Sequence, residues 1–236
     1  LKLSILVPVY NEENTVEKLV DKLLEIKGSG VIEDVEIIAV DDCSKDNTLK
    51  ILEDLEKKGF IRLLKHEVNM GKGAAIRTAI GAATGDYIIF QDADLEYDPA
   101  DIVRMAEEII EKELDILYGS RFYGKETSPL GRFHFFVNGG LTTLSNVFTG
   151  LKLTDMETCY KMFRTQVIKK IEIEENRFGI EPEITAKAAR LVAEENLKIA
   201  EIPISYNPRR HDEGKKIGIK DGFRAVYIIL KYGLQK

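Results

Sequence analysis

An α/β fold, a mostly parallel sheet flanked by helices in a single domain, is what the sequence predicts, and three observations predict it. Short β-branched runs alternate with amphipathic helical patterns through the first half of the chain, and each apolar run ends in a polar turn. With 236 residues, 44% of them hydrophobic, the chain is long enough for one large core over 1–236. Alternation of this kind calls for parallel strands joined by right-handed crossovers.

The elements follow in order. Residues 3–9, 35–40, 61–65 and 86–90 read as buried strands, because they are short, apolar and closed by polar residues. Between the first two, Val16, Leu19, Val20, Leu23 and Leu24 fall at i, i+3, i+4, i+7 and i+8, which is one face of a helix. Asp46 is placed to cap the next helix, and Asp98-Pro99 reads as an N-cap with proline at the first helical position. Beyond about residue 120 the alternation breaks down. A stretch over 122–150 containing Gly, Phe and Asn precedes Asp155-Met156-Glu157, and a helix over 180–194 precedes a strand near 197–206. In the C-terminal amphipathic helix, Phe223, Val226, Tyr227 and Leu230 mark one apolar face. Packing of that face into the core is the default reading; the alternative lays it in a membrane interface, with Lys231 and Lys236 near anionic headgroups.

Composition narrows the function. A net charge of −6 argues against a nucleic-acid partner, which needs a positive surface to neutralise phosphates. The two cysteines, Cys43 and Cys159, fit neither a disulfide framework nor a zinc site, which points to a reducing, cytoplasmic compartment. No run approaches the roughly 18–20 apolar residues that cross a bilayer, and residues 1–10 read as a strand rather than a signal peptide.

In a parallel sheet, ligands bind beyond the carboxyl ends of the strands. The polar residues there are Tyr10-Asn11-Glu12, Asp41-Asp42 and 91–96, three clusters that would converge on one crevice. Asp92, Asp94 and Glu96 stand at i, i+2 and i+4 after the apolar Tyr87-Ile88-Ile89-Phe90. Were the strand continued, all three carboxylates would face one way as hard oxygen ligands for Mg²⁺ or Mn²⁺. A lone D-x-D is more often a solvated acidic turn, and its place beside the other two clusters favours the metal. Residues 69–73 lack the G-x-x-x-x-G-K-[ST] spacing, so phosphate-loop hydrolysis is not expected. Residues 209–224 carry Arg209, Arg210, Lys215, Lys216, Lys220 and Arg224 against Asp212, Glu213 and Asp221, a local excess of cations suited to a diphosphate.

The ordered motifs Val7-Pro8-Val9-Tyr10-Asn11-Glu12, Val40-Asp41-Asp42-Cys43-Ser44, Asn69-Met70-Gly71-Lys72-Gly73 and Gln91-Asp92-Ala93-Asp94-Leu95-Glu96 resemble family 2 glycosyltransferases of the GT-A, Rossmann-like fold. Gly119-Ser120-Arg121-Phe122, Thr154-Asp155-Met156-Glu157 and Asn207-Pro208-Arg209 extend the resemblance over almost the whole chain, and within that family it is to the dolichyl- and polyprenyl-phosphate sugar synthases. The resemblance implies inverting transfer of a hexose from a UDP- or GDP-sugar to a polyprenyl (dolichyl-type) phosphate. It implies a nucleotide-sugar and metal half over 1–120 and an acceptor half over 121–236.

By position, Pro8, Val9, Tyr10, Glu12 and Val40 would line the nucleoside site and Asp42 would contact the base. Gln91, Asp92 and Ala93 would form the donor floor, Asp92 facing the nucleotide, while Asp94 and Glu96 would bind Mg²⁺ or Mn²⁺. The related mannose synthases often have Gln where this chain has Glu96, so the added negative charge could alter metal preference. Lys72 is either a surface lysine at a helix start or a donor contact. Arg121, Arg209 and Lys215 would bind phosphate, with Gly214 letting their loop close; Arg132 fits the pattern less well. Asp94, Arg121 and Asp155 are the catalytic candidates. Asp155, with Glu157, stands where hydroxyl-acceptor relatives carry a base, yet a phosphate acceptor needs little deprotonation. Asp155 would then orient the acceptor, polarise the sugar, or simply pair with a nearby cation. The expected location is peripheral, at the cytoplasmic membrane face, with a membrane-anchoring partner. The alternatives are a saccharide or other hydroxyl acceptor with Asp155 as base, a non-catalytic nucleotide-sugar-binding subunit, and a nucleotidyltransferase.

Overall fold

The computed structural model describes residues 1–124, 132–209 and 219–235. Its first half runs β1 (Lys2–Val9), α1 (Val16–Glu25), β2 (Asp34–Asp41), α2 (Thr48–Lys57), β3 (Arg62–Lys65), α3 (Lys72–Ala82), β4 (Tyr87–Phe90), α4 (Ala100–Glu111) and β5 (Ile116–Ser120). The second runs α5 (Arg132–Thr149), β6 (Lys161–Arg164), α6 (Thr165–Ile168), α7 (Ile180–Glu195), β7 (Ile199–Pro203) and α8 (Ile219–Gly233). The seven strands form one sheet in the order β3-β2-β1-β4-β6-β5-β7, so both halves of the chain contribute to it. Every pairing is parallel except those of β6, which lies antiparallel between β4 and β5.

The central strands are buried on both faces, which is why Leu3, Ile5, Leu6, Val7, Ile38, Ile88 and Ile89 form apolar runs rather than an alternation. Helix α1 buries Val16, Leu19, Val20 and Leu23, the face its spacing predicts. Asp46 accepts the Thr48 N–H at 3.0 Å, so its carboxylate does close the start of α2, although Asn47 holds the N-cap position. Pro99, not Asp98, is the N-cap of α4; the Asp98 carboxylate accepts the Ala100 N–H at 3.2 Å, a shift of one residue from the expected boundary.

Two strands, β5 and β6, were not legible in the sequence. β6 begins with Lys161, which is fully buried and donates to the Met156 and Thr158 carbonyls with its ammonium over the Tyr118 ring. A strand that opens on a charged residue does not read as a core strand until those acceptors are known.

The C-terminal helix corrects one expectation. α8 turns Ala225, Ile228, Ile229 and Tyr232 inward, whereas Phe223 (75% exposed) and Tyr227 (62%) face solvent with Leu230. The named apolar face is therefore the outward one. α8 packs on α5 and α7, and on α5 Val147 (74%) and Phe136 are exposed as well. Lys231, expected near headgroups, instead reaches the Tyr232 hydroxyl at 2.8 Å and Glu175 at 3.4 Å; Lys236 lies outside the described residues. Among the described residues no helix is long and apolar enough to cross a membrane.

Candidate active site

The sheet brings three strand ends side by side. Val9 pairs with Asp41, the Asp42 N–H donates to the Val9 carbonyl at 2.8 Å, and the Gln91 N–H donates to the Leu6 carbonyl at 3.0 Å, which sets the loops after β1, β2 and β4 next to one another. Each of these loops contains a non-glycine residue in the left-handed region: Asn11 (φ 53°), Cys43 (φ 62°) and Leu95 (φ 62°). Leucine is a poor fit there, and strain of this kind persists only where surrounding contacts hold it. The first two loops are laced together, for Asn11 accepts the Lys45 N–H at 2.7 Å and Thr48 Oγ1 accepts the Glu12 N–H at 2.8 Å.

The acidic segment after β4 is a turn, not a continued strand. Asp94 Oδ1 accepts the Glu96 N–H at 3.1 Å around the left-handed Leu95. The three carboxylates accordingly meet different partners. Asp92 pairs with Lys72 (2.8 Å), whose ammonium also pairs with Glu181 (2.8 Å). Glu96 accepts the Tyr206 hydroxyl at 2.7 Å and the Arg209 N–H at 2.8 Å. Arg209 reaches the Asp94 carbonyl (2.9 Å), not its carboxylate, and directs its guanidinium to Glu12 (2.7 Å). Asp94 therefore forms no ion pair among the described residues. Burial, then the Asp92 and Glu96 charges, push its carboxyl up to about 7.

That environment fits a hard divalent cation: oxygen donors whose charge is uncompensated until a cation arrives. Among the described residues no three His, Cys, Asp or Glu side chains form a ready-made metal cage. One or two carboxylates completed by phosphate oxygens and water is the usual arrangement for Mg²⁺. Asp94 is the donor with least competition, while both Glu96 oxygens already hold residues 206–209.

Asp42, expected at the base, accepts the Met70 N–H (2.8 Å) and Gly71 N–H (2.7 Å) and meets His66 Nδ1 at 2.7 Å. Its carboxylate thus organises the entry to α3. Asn176 O takes the Ala74 N–H at 3.2 Å, so the start of α3 is closed by protein groups rather than left as a phosphate cradle. The side chains of Val9, Val40 and Ala93 are in the core, and Pro8 is half-buried. Gln91 is fully buried, accepts the Tyr160 hydroxyl and donates to the Asp92 carbonyl at 2.9 Å, fixing the floor.

Behind this crevice lies a closed polar cluster. Asp155, with no exposed surface, accepts three hydrogen bonds from Arg121, through Nε (2.7 Å), Nη2 (2.8 Å) and the backbone N–H (3.0 Å). The guanidinium is sandwiched over the Phe122 and Tyr206 rings. Asp155 is thus the paired carboxylate, and Arg121 keeps its charge despite burial because of it. Glu157 Oε1 is buried without a partner, and burial followed by the Glu181 charge pushes its carboxyl up to about 8.

The structure brings Glu12, Asp42, Lys72, Asp92, Asp94, Glu96 and Arg209 to one crevice. Lys215 and Gly214 lie outside the described residues, as does the side chain of Arg132. Sequence reasoning gave no role to Glu181, Tyr206, His66 or Tyr160. Two of them carried a signal, Tyr160 at the end of the motif that runs on from Thr154 to Lys161 and Tyr206 one position before Asn207-Pro208-Arg209.

A family model described as Glycosyl transferase family 2 matches residues 4–172. The dodecaprenyl-phosphate galacturonate synthase of Rhizobium johnstonii is 32% identical over 234 residues, 98% of this chain and 66% of that protein. The dolichyl-phosphate beta-glucosyltransferase of Trichomonas vaginalis is 30% identical over 98% of this chain and 73% of its own. For the dolichol-phosphate mannosyltransferase of Pyrococcus furiosus the figures are 26%, 98% and 64%. The chain thus spans roughly two thirds of the length of these relatives. Among solved structures, the glucosyl-3-phosphoglycerate synthase of Mycobacterium tuberculosis in complex with UDP has the same fold, with a TM-score of 0.73 at 17% identity over 98% of this chain and 80% of that one. Other crystals of that enzyme contain UDP with Mn²⁺ or with Mg²⁺.

Proposed function

The chain belongs to glycosyl transferase family 2 and has the GT-A fold, and from that premise we propose that it is an inverting, metal-dependent hexosyltransferase acting from a UDP- or GDP-sugar onto a polyprenyl (dolichyl-type) phosphate. The dodecaprenyl- and dolichyl-phosphate relatives support the acceptor class, and the UDP complexes of the solved neighbour support a nucleotide-sugar donor.

The observation that carries the reading is the contrast between the carboxylates. Among the described residues Asp94 has no ion-pair partner, whereas Asp155 is saturated by Arg121 and burial holds Glu157 toward its protonated form. A hydroxyl acceptor needs a general base during attack; a phosphate is already an anion. Neither Asp155 nor Glu157 is poised to take a proton, so the phosphate acceptor is the chemistry this geometry supports best.

In this reading Pro8, Tyr10, Glu12 and Asp42 line the nucleoside side, Asp92 faces the nucleotide, and Asp94 with Glu96 holds Mg²⁺ or Mn²⁺. A bound ion would supply charge compensation for the departing diphosphate. An acceptor phosphate oxygen attacks the anomeric carbon opposite the nucleotide; the new C–O bond forms as the bond to the diphosphate breaks, and configuration inverts. Arg121, aimed by Asp155, and Arg209 add fixed positive charge where negative charge develops. The resemblance assigns Lys215 to the same side. The outward apolar residues of α5 and α8 suit a surface that rests on the cytoplasmic face of the membrane holding the lipid.

Incubation with radiolabelled UDP- or GDP-hexose, Mg²⁺ or Mn²⁺ and polyprenyl phosphate should move label into the organic phase with release of the nucleoside diphosphate. Label that appears solely in water-soluble glycan would sink the acceptor assignment, and release of pyrophosphate would identify a nucleotidyltransferase.

A further inference from the structure

The group that steadies Asp92 comes from the other half of the chain. We infer that Glu181 is a positioning residue for the donor site, acting on Asp92 through Lys72. The inference rests on the reading that Asp92 faces the nucleotide.

Lys72 Nζ lies 2.8 Å from Asp92 Oδ1, 3.0 Å from Asp92 Oδ2 and 2.8 Å from Glu181 Oε1, and its side chain is 12% exposed. An ammonium is a compact donor on a flexible stem and lacks the planar fork of arginine. One carboxylate on a loop does not fix its direction. A second carboxylate on a rigid element does, and Glu181 sits in the first turn of α7, where the partial positive charge of the helix end attracts a carboxylate. Burial opposes the Lys72 charge, yet the Asp92 carboxylate, with Glu181 adding to it, holds the ammonium well above its usual range. Lys72 is therefore a permanent cation locked between two anions, not a mobile phosphate ligand.

The backbone around Lys72 is clamped from the same side. Gly71 and Gly73 flank it, and a Cβ at either would collide with the Asn176 or Glu175 carbonyl. Asn176 O also takes the Ala74 N–H at 3.2 Å. Residues 175–181 thus hold both ends of the lysine: the backbone it leaves from and the ammonium it ends in. With Lys72 pinned, Asp92 is bound through both oxygens and keeps one orientation toward the crevice. Without the Glu181 charge, Lys72 and Asp92 form a lone pair that can turn on two flexible side chains.

The test uses nucleoside diphosphate binding, read by calorimetric titration of UDP and GDP in the presence of Mn²⁺, alongside donor kinetics. Glu181→Gln keeps the shape and removes the charge. It should weaken binding of the preferred nucleotide by about tenfold, the scale of one charge-assisted hydrogen bond. Donor KM should rise by a similar factor while kcat changes less. Because Glu181 acts through Lys72, the same substitution placed on Lys72→Met should add nothing further. Unchanged nucleotide affinity in Glu181→Gln, or an equal loss on both backgrounds, overturns the inference. If Glu181→Gln lowers the melting temperature, Glu181→Asp, which keeps the charge and shortens the reach, takes its place: weakened binding supports the role and native binding overturns it. Failure of the native protein to bind either nucleotide is a different result, which removes the donor-site reading and this inference with it.

Discussion

The crevice at the ends of β1, β2 and β4 and the polar cluster around residues 154–161 are built from the same residue types and treat charge in opposite ways. In the cluster, Asp155 meets a bidentate guanidinium and Lys161 meets two carbonyls, so these two charges are satisfied internally. In the crevice, Glu12, Asp92 and Glu96 are held in place by partners distant in sequence, namely Arg209, Lys72 with Glu181, and Tyr206, while the Asp94 carboxylate, among the described residues, accepts only the Glu96 N–H. A saturated carboxylate is scaffold. An oriented charge with capacity left over is where a ligand gains binding energy, because no internal partner has to be displaced. In the proposed reading Asp94 is the functional carboxylate and Asp155 the residue that aims Arg121.

Breaking the cluster should have the largest effect. Asp155→Asn leaves Arg121 buried without its counter-charge, which should cost about 3–5 kcal/mol of stability. Chemical denaturation measures this directly. A loss below about 1 kcal/mol, the scale of an exposed pair, would mean that the cluster is not closed as described. In the crevice the expectation is reversed. Asp94→Asn should leave stability at neutral pH unchanged or slightly higher, since it removes a carboxyl that burial and two like charges already disfavour. Product formation should fall by roughly 10²–10³-fold, comparable with the loss of one transition-state stabilising group. Turnover within a few-fold of native would detach Asp94 from the reaction.

The two regions also differed in how much the sequence revealed. The crevice was legible because its residues follow apolar strands, and strand ends in a parallel sheet are where ligands are sought. Glu12, Asp42, Asp92, Asp94 and Glu96 could all be named from local context. Lys72 and Arg209 could be named too, but not whom they pair with: Lys72 and Glu181 are 109 positions apart, and nothing local to Glu181 distinguishes it from Glu183, which instead accepts the Glu174 and Glu175 N–H groups. The turn at Leu95 was hidden as well, because the i, i+2, i+4 spacing of the acids imitates a strand and leucine does not announce a left-handed backbone. β6 stayed hidden for the reason that makes the cluster closed, a buried lysine whose acceptors are main-chain carbonyls.

Glu157 is the unpaired ionisable group of the cluster and gives the smallest, most diagnostic effect. Among the described residues its Oε1 finds no partner, and burial with the Glu181 charge raises its folded pKa to about 8 from an ordinary value of 4.5. A carboxyl raised in this way binds its proton more tightly in the folded state. The folded chain therefore holds more protons than the unfolded one between pH 4.5 and about 8, and stability falls as pH rises through that window. Below it both states are protonated and the term vanishes from the slope. Glu157→Gln cannot ionise, so it should match the native protein at pH 4–5 and melt above it at pH 9, by about 2–4 °C for each kcal/mol recovered. Equal melting temperatures at pH 9 would mean that Glu157 is solvated or paired in solution. The cluster would then contain no strained charge, and the distinction between a closed scaffold and an open crevice would rest on Asp94 and Asp155 alone.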